Sequence, residues 1–372
     1  MSKKAETEEI EETEEITADE SFGIWMKEFD KSYPGELKSL DSTEALDVEI
    51  IPTGVIALDV ALGVGGLPRG RIVEVYGPTG GGKTTLALTT AVQCLKMSPT
   101  AKIGFVDCEQ ALSIELCEAL GLPMDRFYVI QPDVGEQAVD MVERMVKSRN
   151  FDMVIVDSVA AMVPSVELEA DLEGSVQMGR HGKLMSTFMK RVAAPTKKSN
   201  TLLMLLNQTR VNLGAYGAPD TPTGGKAVGF YSSVRIEVRT SASKQIKKGT
   251  DVIGTRVTSS VKKNKVAAPF KKCEYDIIFG KGISEGGSLL EACTELGIID
   301  RKGSSYFDTR TGERIGIGKD AVGAILEEAP IGEEVSLGEQ LRQAVYDTMA
   351  ARRTRSVEDV LGPEEIIANA GE

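Results

Sequence analysis

Gly77-Pro78-Thr79-Gly80-Gly81-Gly82-Lys83-Thr84-Thr85 joins an apolar strand-like stretch, Arg71–Tyr76, to a helix-like one, Thr85–Cys94. A strand, a glycine-rich turn and a helix in that order make a phosphate-binding loop. Polyphosphate concentrates negative charge, so its site needs several converging N–H donors. Glycines let backbone amides approach closely, and the following helix adds the positive end of its dipole. In such a loop Lys83 is expected to neutralise the β- and γ-phosphates, and the Thr84 hydroxyl to ligate Mg2+. The competing reading, a glycine-rich turn that matches by chance, is weakened by the strand and helix on the correct sides.

With 372 residues the chain has room for one large domain and smaller appendages. The 41% apolar fraction is that of a globular protein, and no apolar run approaches a membrane span. The acidic N-terminus argues against a secretory signal. Cys94, Cys108, Cys117, Cys273 and Cys293 are odd in number and lack a Cys-x-x-Cys pair, so reduced thiols in a cytoplasmic protein are expected. A net charge of −13 at first argues against nucleic acid. Most of it sits in two tails: −7 over residues 1–20 and −5 over 356–372, leaving a near-neutral core that can still carry basic patches.

Residues 1–20 are low-complexity and acidic, and are expected to be disordered. Residues 21–47 hold an amphipathic helix over Ser21–Lys38, with Phe22, Ile24, Trp25, Phe29 and Tyr33, and a linker. Residues 48–282 alternate strands and helices. The strands are Arg71–Tyr76, Lys102–Cys108, Arg126–Ile130, Met153–Asp157 and Thr201–Asn207. Helices at Thr84–Lys96, Glu115–Leu120, Glu136–Ser148 and Gly179–Val192 separate them. That order predicts an α/β fold with a mostly parallel central sheet flanked by helices on both faces. Ser233–Arg239, Val252–Val261 and Glu274–Phe279 read as an antiparallel extension. Residues 283–350 read as a small α+β domain with segments at Ser288–Leu296, Tyr306–Asp308 and Asp320–Glu328, and 351–372 as a charged mobile tail.

Three strands end in residues suited to phosphate chemistry. Phe151–Asp157 is apolar and ends in an acid, which beside a phosphate loop can hold the water shell of Mg2+; many strands end in Asp merely to turn. Ile103–Asp107 is followed by Glu109, which fits either orientation of an attacking water or capping of the next helix. Leu202–Leu206 ends in Asn207-Gln208, amides able to sense a γ-phosphate and pass its presence to Thr209–Gly225. That Gly- and Pro-rich stretch is long for a loop in a compact domain, which suggests a binding loop, with a plain surface loop as the alternative. Arg210, Lys226 and Leu213 suit a nucleic-acid backbone and its bases. Lys263 and Lys265, spaced by two, share a strand face and read more readily as a solvated edge than as phosphate ligands. His181, the one histidine, has no acid–base partner at a suitable spacing.

Pro52–Asp59, Ala61–Arg71, Gln131–Gln137, Val156–Ala161, Thr223–Gly225 and Lys263–Phe270, in that order, make the chain resemble the bacterial RecA recombinase family from about Phe22 to Lys319. The resemblance implies a RecA-type P-loop ATPase core with an N-terminal subunit-docking helix and a small C-terminal domain. It implies a DNA-dependent ATPase that uses ATP and Mg2+, polymerises with itself into a helical filament on single-stranded DNA, and exchanges strands with double-stranded DNA in recombination and repair. Stimulation of self-cleavage by a LexA-like repressor is implied as an added role. By position, Glu109 resembles the family's catalytic glutamate, Gln208 its γ-phosphate sensor, and Lys263 and Lys265 its lysines that reach ATP on the adjacent subunit. Ser165–Gly179 resembles a first DNA-binding loop and Thr209–Gly225 a second. Met178, Lys183, Lys190, Arg210, Leu213, Gly224 and Gly225 match family DNA contacts, and Arg301 and Lys319 are expected to meet duplex DNA.

The chain also departs from the family. Ser113 and Leu116 stand where an acid and an aromatic usually flank adenine, so base selectivity is open. Asn212 takes a usual lysine position in a slightly shortened second loop. Lys183 replaces an arginine, keeping the charge without the bidentate fork. A ring-forming motor or helicase and a nucleotide-switched regulatory scaffold are the alternatives on the same core.

Overall fold

The computed structural model describes residues 17–34, 37, 48–168, 179–210, 221–328 and 335–354. The expected acidic and charged tails therefore lie largely outside the described residues. The chain divides into two compact units, Met1–Val48 and Glu49–Glu372.

The first unit holds α1 (Ala18–Ser32). It starts three residues earlier than its apolar pattern suggested, because Thr17 and Glu20 form a capping box: the Glu20 carboxylate accepts from Thr17 N at 3.0 Å, and Thr17 Oγ1 accepts from Glu20 N at 3.3 Å. The Thr-x-x-Glu spacing was the signal. Phe22, Trp25, Phe29 and Tyr33 recur every three or four residues, so their rings follow one another along one face at 5.7, 5.2 and 5.1 Å.

The second unit opens with β1 (Ile50–Ile51), α2 (Ile56–Leu62) and β2 (Leu67–Pro68). α2 was not expected; the left-handed Gly63 at φ 79° ends it. Next come β3 (Ile72–Gly77), α3 (Lys83–Met97), β4 (Ile103–Asp107), α4 (Ile114–Ala119), β5 (Phe127–Ile130), α5 (Gly135–Ser148), β6 (Met153–Asp157), α6 (Ser165–Leu168), α7 (Arg180–Ser199) and β7 (Leu202–Arg210). After them stand β8 (Thr221–Pro222), α8 (Lys226–Tyr231), β9 (Val234–Lys248), β10 (Asp251–Asn264), β11 (Lys272–Ile278) and β12 (Gly282–Ile283).

β1 and β2 pair with each other, and β3–β12 form one sheet in the order β12-β11-β10-β9-β3-β7-β6-β4-β5, with β8 beside β7. From β9 to β5 every neighbouring pair is parallel. Met153–Val156 and Leu202–Leu206 are wholly buried, as strands covered on both faces must be. Leu86, Leu88, Phe105 and Ile155 belong to the core on one face; Val142, Val154, Phe188 and Leu205 belong to the core on the other.

Ser233–Arg239 was expected in the antiparallel extension. Its strand β9 instead closes the parallel set by pairing with β3, and only its other edge is antiparallel, to β10. β9 and β10 also run further than expected and meet at a two-residue turn, Gly249-Thr250. Thr240–Lys248 is too polar for its periodicity to have revealed a strand. α7 continues through Pro195 to Ser199, past the expected end at Val192. Val192 and Thr196, four apart and both buried, carry the helix past the lost hydrogen bond.

Beyond Ile283 follow α9 (Glu285–Glu295), β13 (Ile299–Lys302), β14 (Ser305–Asp308), β15 (Arg314–Ile317), α10 (Lys319–Glu327) and α11 (Leu337–Thr354). The three strands make their own antiparallel sheet. Leu289 and Leu290 of α9 join the main core, as do Leu341, Val345 and Met349 of α11. All five cysteines are free thiols, and all but Cys108 are buried.

Asp59 is 1% exposed, and burial pushes its carboxyl up to about 7 against two hydrogen bonds from Thr53. Unfolded aspartate ionises near pH 4, so the folded state holds the extra proton between about pH 4 and 7. Stability from this group is therefore full below that window and lost as pH rises through it. Asp59→Asn is expected to remove this slope. Its urea-unfolding free energy should gain on the parent by on the order of 3 kcal/mol between pH 5 and 8; parallel curves for the two proteins would contradict the assignment.

Candidate functional site

β3 delivers the chain to Gly77, and α3 begins at Lys83 behind the left-handed Gly82. A Cβ at Gly77 would stand 2.0 Å from the backbone Val238 O, which excludes a side chain, and Gly82 holds φ 89°, where any side chain is strained. The loop thus lies close against β9 and β11 of the sheet. Lys83 Nζ donates to Gly77 O at 3.1 Å and Pro78 O at 2.8 Å. Burial draws its ammonium below the usual lysine range, opposed by the carboxylates of Asp157 and Glu109. A buried cation held only by neutral carbonyls beside a helix N-terminus is suited to a polyanion.

Asp157 ends β6 beside the loop, and its Oδ2 accepts from Thr84 Oγ1 at 2.7 Å. Burial pushes its carboxyl up to about 6, against the Thr84 bond. A hydroxyl and a carboxylate are hard oxygen donors, and among the described residues no cluster of three or more His, Cys, Asp or Glu could hold a metal by itself. Such a sparse set fits Mg2+, which keeps waters and takes its remaining ligands from phosphate.

Glu109 lies just past β4, where Cys108 N and Glu109 N both donate to Asp157 O, at 2.7 and 3.2 Å. α4 is capped by Ser113, whose Oγ accepts from Leu116 N at 3.1 Å. Glu109 instead accepts two bonds on Oε1, from Ser158 Oγ at 2.5 Å and from Gln208 Nε2 at 2.6 Å. The ends of β3, β4, β6 and β7 thereby bring Lys83, Glu109, Asp157 and Gln208 to one edge of the parallel sheet, where ligands bind in open α/β folds.

β7 passes this edge on to the segment that follows. Asn207 Nδ2 donates to Thr223 O at 3.0 Å, Thr223 Oγ1 donates to Asn207 Oδ1 at 2.6 Å, and Thr223 N donates to Gln208 O at 3.1 Å. Residues 207–208 therefore clamp the chain immediately before Gly224-Gly225. Asn207 Nδ2 also reaches Glu74 Oε1 at 2.9 Å, and Arg235 Nε pairs with Glu74 Oε2 at 2.5 Å. Arg235 in turn lies over the Tyr76 ring at 4.8 Å. The Glu74 side chain is 1% exposed, so these partners stand in for water around its carboxylate. Glu74→Ala is expected to cost about 3 kcal/mol or more in urea unfolding by stranding Arg235. Adding Arg235→Ala should return part of that cost; a double variant as unstable as the sum of the singles would refute the coupling.

Lys263 Nζ caps the last carbonyls of α8, Gly229 O and Phe230 O, both at 2.9 Å. Burial, then the neighbouring Lys265 charge, lowers its ammonium. The two lysines do not share a strand face by simple alternation: a bulge lies between Val261 and Lys263, and Lys265 falls beyond the end of β10. Lys183 and Lys190 are exposed on α7 seven residues apart, hence on one helix face. A Cβ at Gly224 would touch Met185 Cγ at 2.8 Å and His181 Cε1 at 3.5 Å, which puts the end of the second loop against α7. His181 Nε2 lies 2.9 Å from Val159 O. Met178, Leu213, Asn212 and the Arg210 side chain lie outside the described residues. Arg301 Nε donates to Gly303 O, and Lys319 is paired with Glu291 at 3.0 Å.

Sequence reasoning did not single out Ser158, Thr223, Glu74 or Arg235. An acid inside the otherwise apolar strand Ile72–Tyr76 was a usable signal for Glu74; a serine after a strand-ending Asp is not distinctive.

Among the described residues no helix is long and apolar enough to cross a membrane. The family model described as the RecA N-terminal domain matches residues 21–284. The chain is 46% identical to Protein RecA of Thioalkalivibrio sulfidiphilus over 291 residues, 78% of this chain and 83% of that protein. It is 44% identical to Protein RecA of Geobacter sulfurreducens over 329 residues, 88% of this chain and 93% of the relative.

Proposed function

This chain belongs to the bacterial RecA family, and from that premise we propose that it is a DNA-dependent ATPase that assembles on single-stranded DNA and carries out homologous pairing and strand exchange in recombination and repair. The observation that carries the reading is the meeting of Lys83, Thr84, Asp157, Glu109 and Gln208 at the ends of adjacent parallel strands. The loop Gly77–Thr85 holds the triphosphate of ATP with its amides, and Lys83 neutralises the β- and γ-phosphates. Thr84 and Asp157 hold Mg2+, which when bound offsets phosphate charge. Glu109 orients and deprotonates the attacking water, and Gln208 reads the γ-phosphate.

Lys263 and Lys265 reach ATP on an adjacent copy, so assembly and hydrolysis share one seam. The aromatic face of α1 docks on a neighbouring copy. Loop 2 receives the nucleotide signal through Thr223 and contacts DNA with Arg210, Leu213, Gly224 and Gly225. Met178, Lys183 and Lys190 extend that contact along α7. Ser113 serves as a helix cap, which leaves the base of the nucleotide without an acid at that position. Duplex DNA is met by the C-terminal domain, where Arg301 is the better candidate because Lys319 already has a carboxylate partner. A LexA-like repressor is a further partner, and the cytoplasm the expected compartment.

The deciding measurement is ATP turnover with and without single-stranded DNA, together with electron microscopy of the product. DNA-stimulated turnover and open helical filaments are expected. Equal turnover in both conditions would overturn the reading, and closed hexamers would point to a ring motor.

A further inference from the structure

We infer that Ser158 is a positioning residue: it anchors the Glu109 carboxylate as the resting partner of the Gln208 amide, a contact that the γ-phosphate sensor must leave before it can report nucleotide. The inference rests on the functional reading above and adds a positioning residue and an off-state contact to it.

Both bonds to Glu109 fall on one oxygen, Oε1: Ser158 Oγ at 2.5 Å and Gln208 Nε2 at 2.6 Å. A carboxylate only accepts, so the nitrogen of the Gln208 amide must face it. A serine hydroxyl has a single proton, and Ser158 commits it to Glu109 from a position with 0% exposure. Ser158 directly follows Asp157, and Asp157 O receives the Cys108 and Glu109 amides. The carboxylate is therefore tied to β6 through its own backbone and through its side chain. Gln208 is only half-buried, and its side-chain amide donates to Glu109.

A γ-phosphate and Glu109 are both anionic acceptors competing for one amide. The stronger the resting bond, the more nucleotide is needed to move Gln208. Because Gln208 O accepts from Thr223 N, and Asn207 holds the Thr223 side chain, movement at residue 208 reaches the segment entering Gly224-Gly225. In this arrangement Glu109 is a brake on DNA binding before it is a base. Ser158 sets how firmly the brake is held, and keeps Glu109 in place once Gln208 has left.

The test uses the full-length protein, a fluorescent oligothymidylate and a non-hydrolysable β,γ-imido analogue of ATP, so binding is read without turnover. Ser158→Ala is expected to lower the analogue concentration giving half-maximal DNA binding by about tenfold or more, the loss of one charge-assisted hydrogen bond. With ATP as substrate the same variant should lower both kcat and KM. Glu109→Ala, at an exposed position, should shift the binding midpoint at least as far, and it carries the test alone if Ser158→Ala does not fold. Ser158→Thr, which keeps the hydroxyl, should stay near the parent. Midpoints unchanged or raised in Ser158→Ala and Glu109→Ala would overturn the inference, as would Ser158→Thr shifting as far as Ser158→Ala. A parent protein with no analogue-dependent DNA binding would overturn the functional reading itself, and this inference with it.

Discussion

Glu109→Gln should reduce DNA-stimulated ATP turnover by about 10^2- to 10^4-fold, the range for loss of a general base, while nucleotide-dependent assembly persists. Glutamine preserves the shape of the side chain and an oxygen able to accept from Ser158 and Gln208. What it removes is a group that can take a proton from water. Glu109 is exposed at the end of β4, and α4 has its own cap in Ser113, so the substitution leaves the local fold intact. Filaments formed with ATP should then persist, because the γ-phosphate is not removed. Turnover is read by phosphate release and persistence by light scattering after dilution. Normal phosphate release by Glu109→Gln would move the base to another residue, and loss of assembly would show that Glu109 is structural.

Much of this site is written in local sequence because it is made of strand ends. An apolar run of four or five residues followed by Asp157, by Glu109 or by Gln208 marks where buried parallel strands surface, and parallel packing then brings the endings together. The phosphate loop is similarly local, since its glycines answer to sterics within a few residues. What stayed illegible depends on contacts distant in sequence. The Arg235–Glu74–Asn207 chain joins three strands whose order in the sheet could not be read from their order in the chain. α2 and α8, of seven and six residues, are too short for periodicity to mark them, and packing holds them in place. α11 was legible in principle: Leu341, Val345 and Met349 recur every fourth residue and are buried. β9 shows the opposite limit, since its polar half pairs through backbone bonds that no side-chain pattern announces.

Lys83→Ala should weaken ATP binding by about a hundredfold or more and abolish nucleotide-dependent assembly, since charge-assisted bonds to phosphate contribute on the order of 3 kcal/mol. The free protein should nevertheless stay folded. Lys83 is an ammonium that burial already disfavours, and its partners are the carbonyls of Gly77 and Pro78. Removing it relieves a desolvated charge, and the partners it gives up are two neutral backbone carbonyls and no paired ion. Binding to the folded state raises the melting temperature, so the parent should show an ATP-dependent thermal shift that Lys83→Ala loses while its ligand-free Tm changes little. Lys83→Arg sharpens the test: it keeps the positive charge but replaces a compact ammonium with a planar fork in a loop where Gly77 has no room for a Cβ. It should bind more weakly than the parent and more strongly than Lys83→Ala. An ATP-dependent shift in Lys83→Ala equal to the parent's would mean that the triphosphate is not held at this loop, and the roles of Thr84, Asp157 and Gln208 would fail with it.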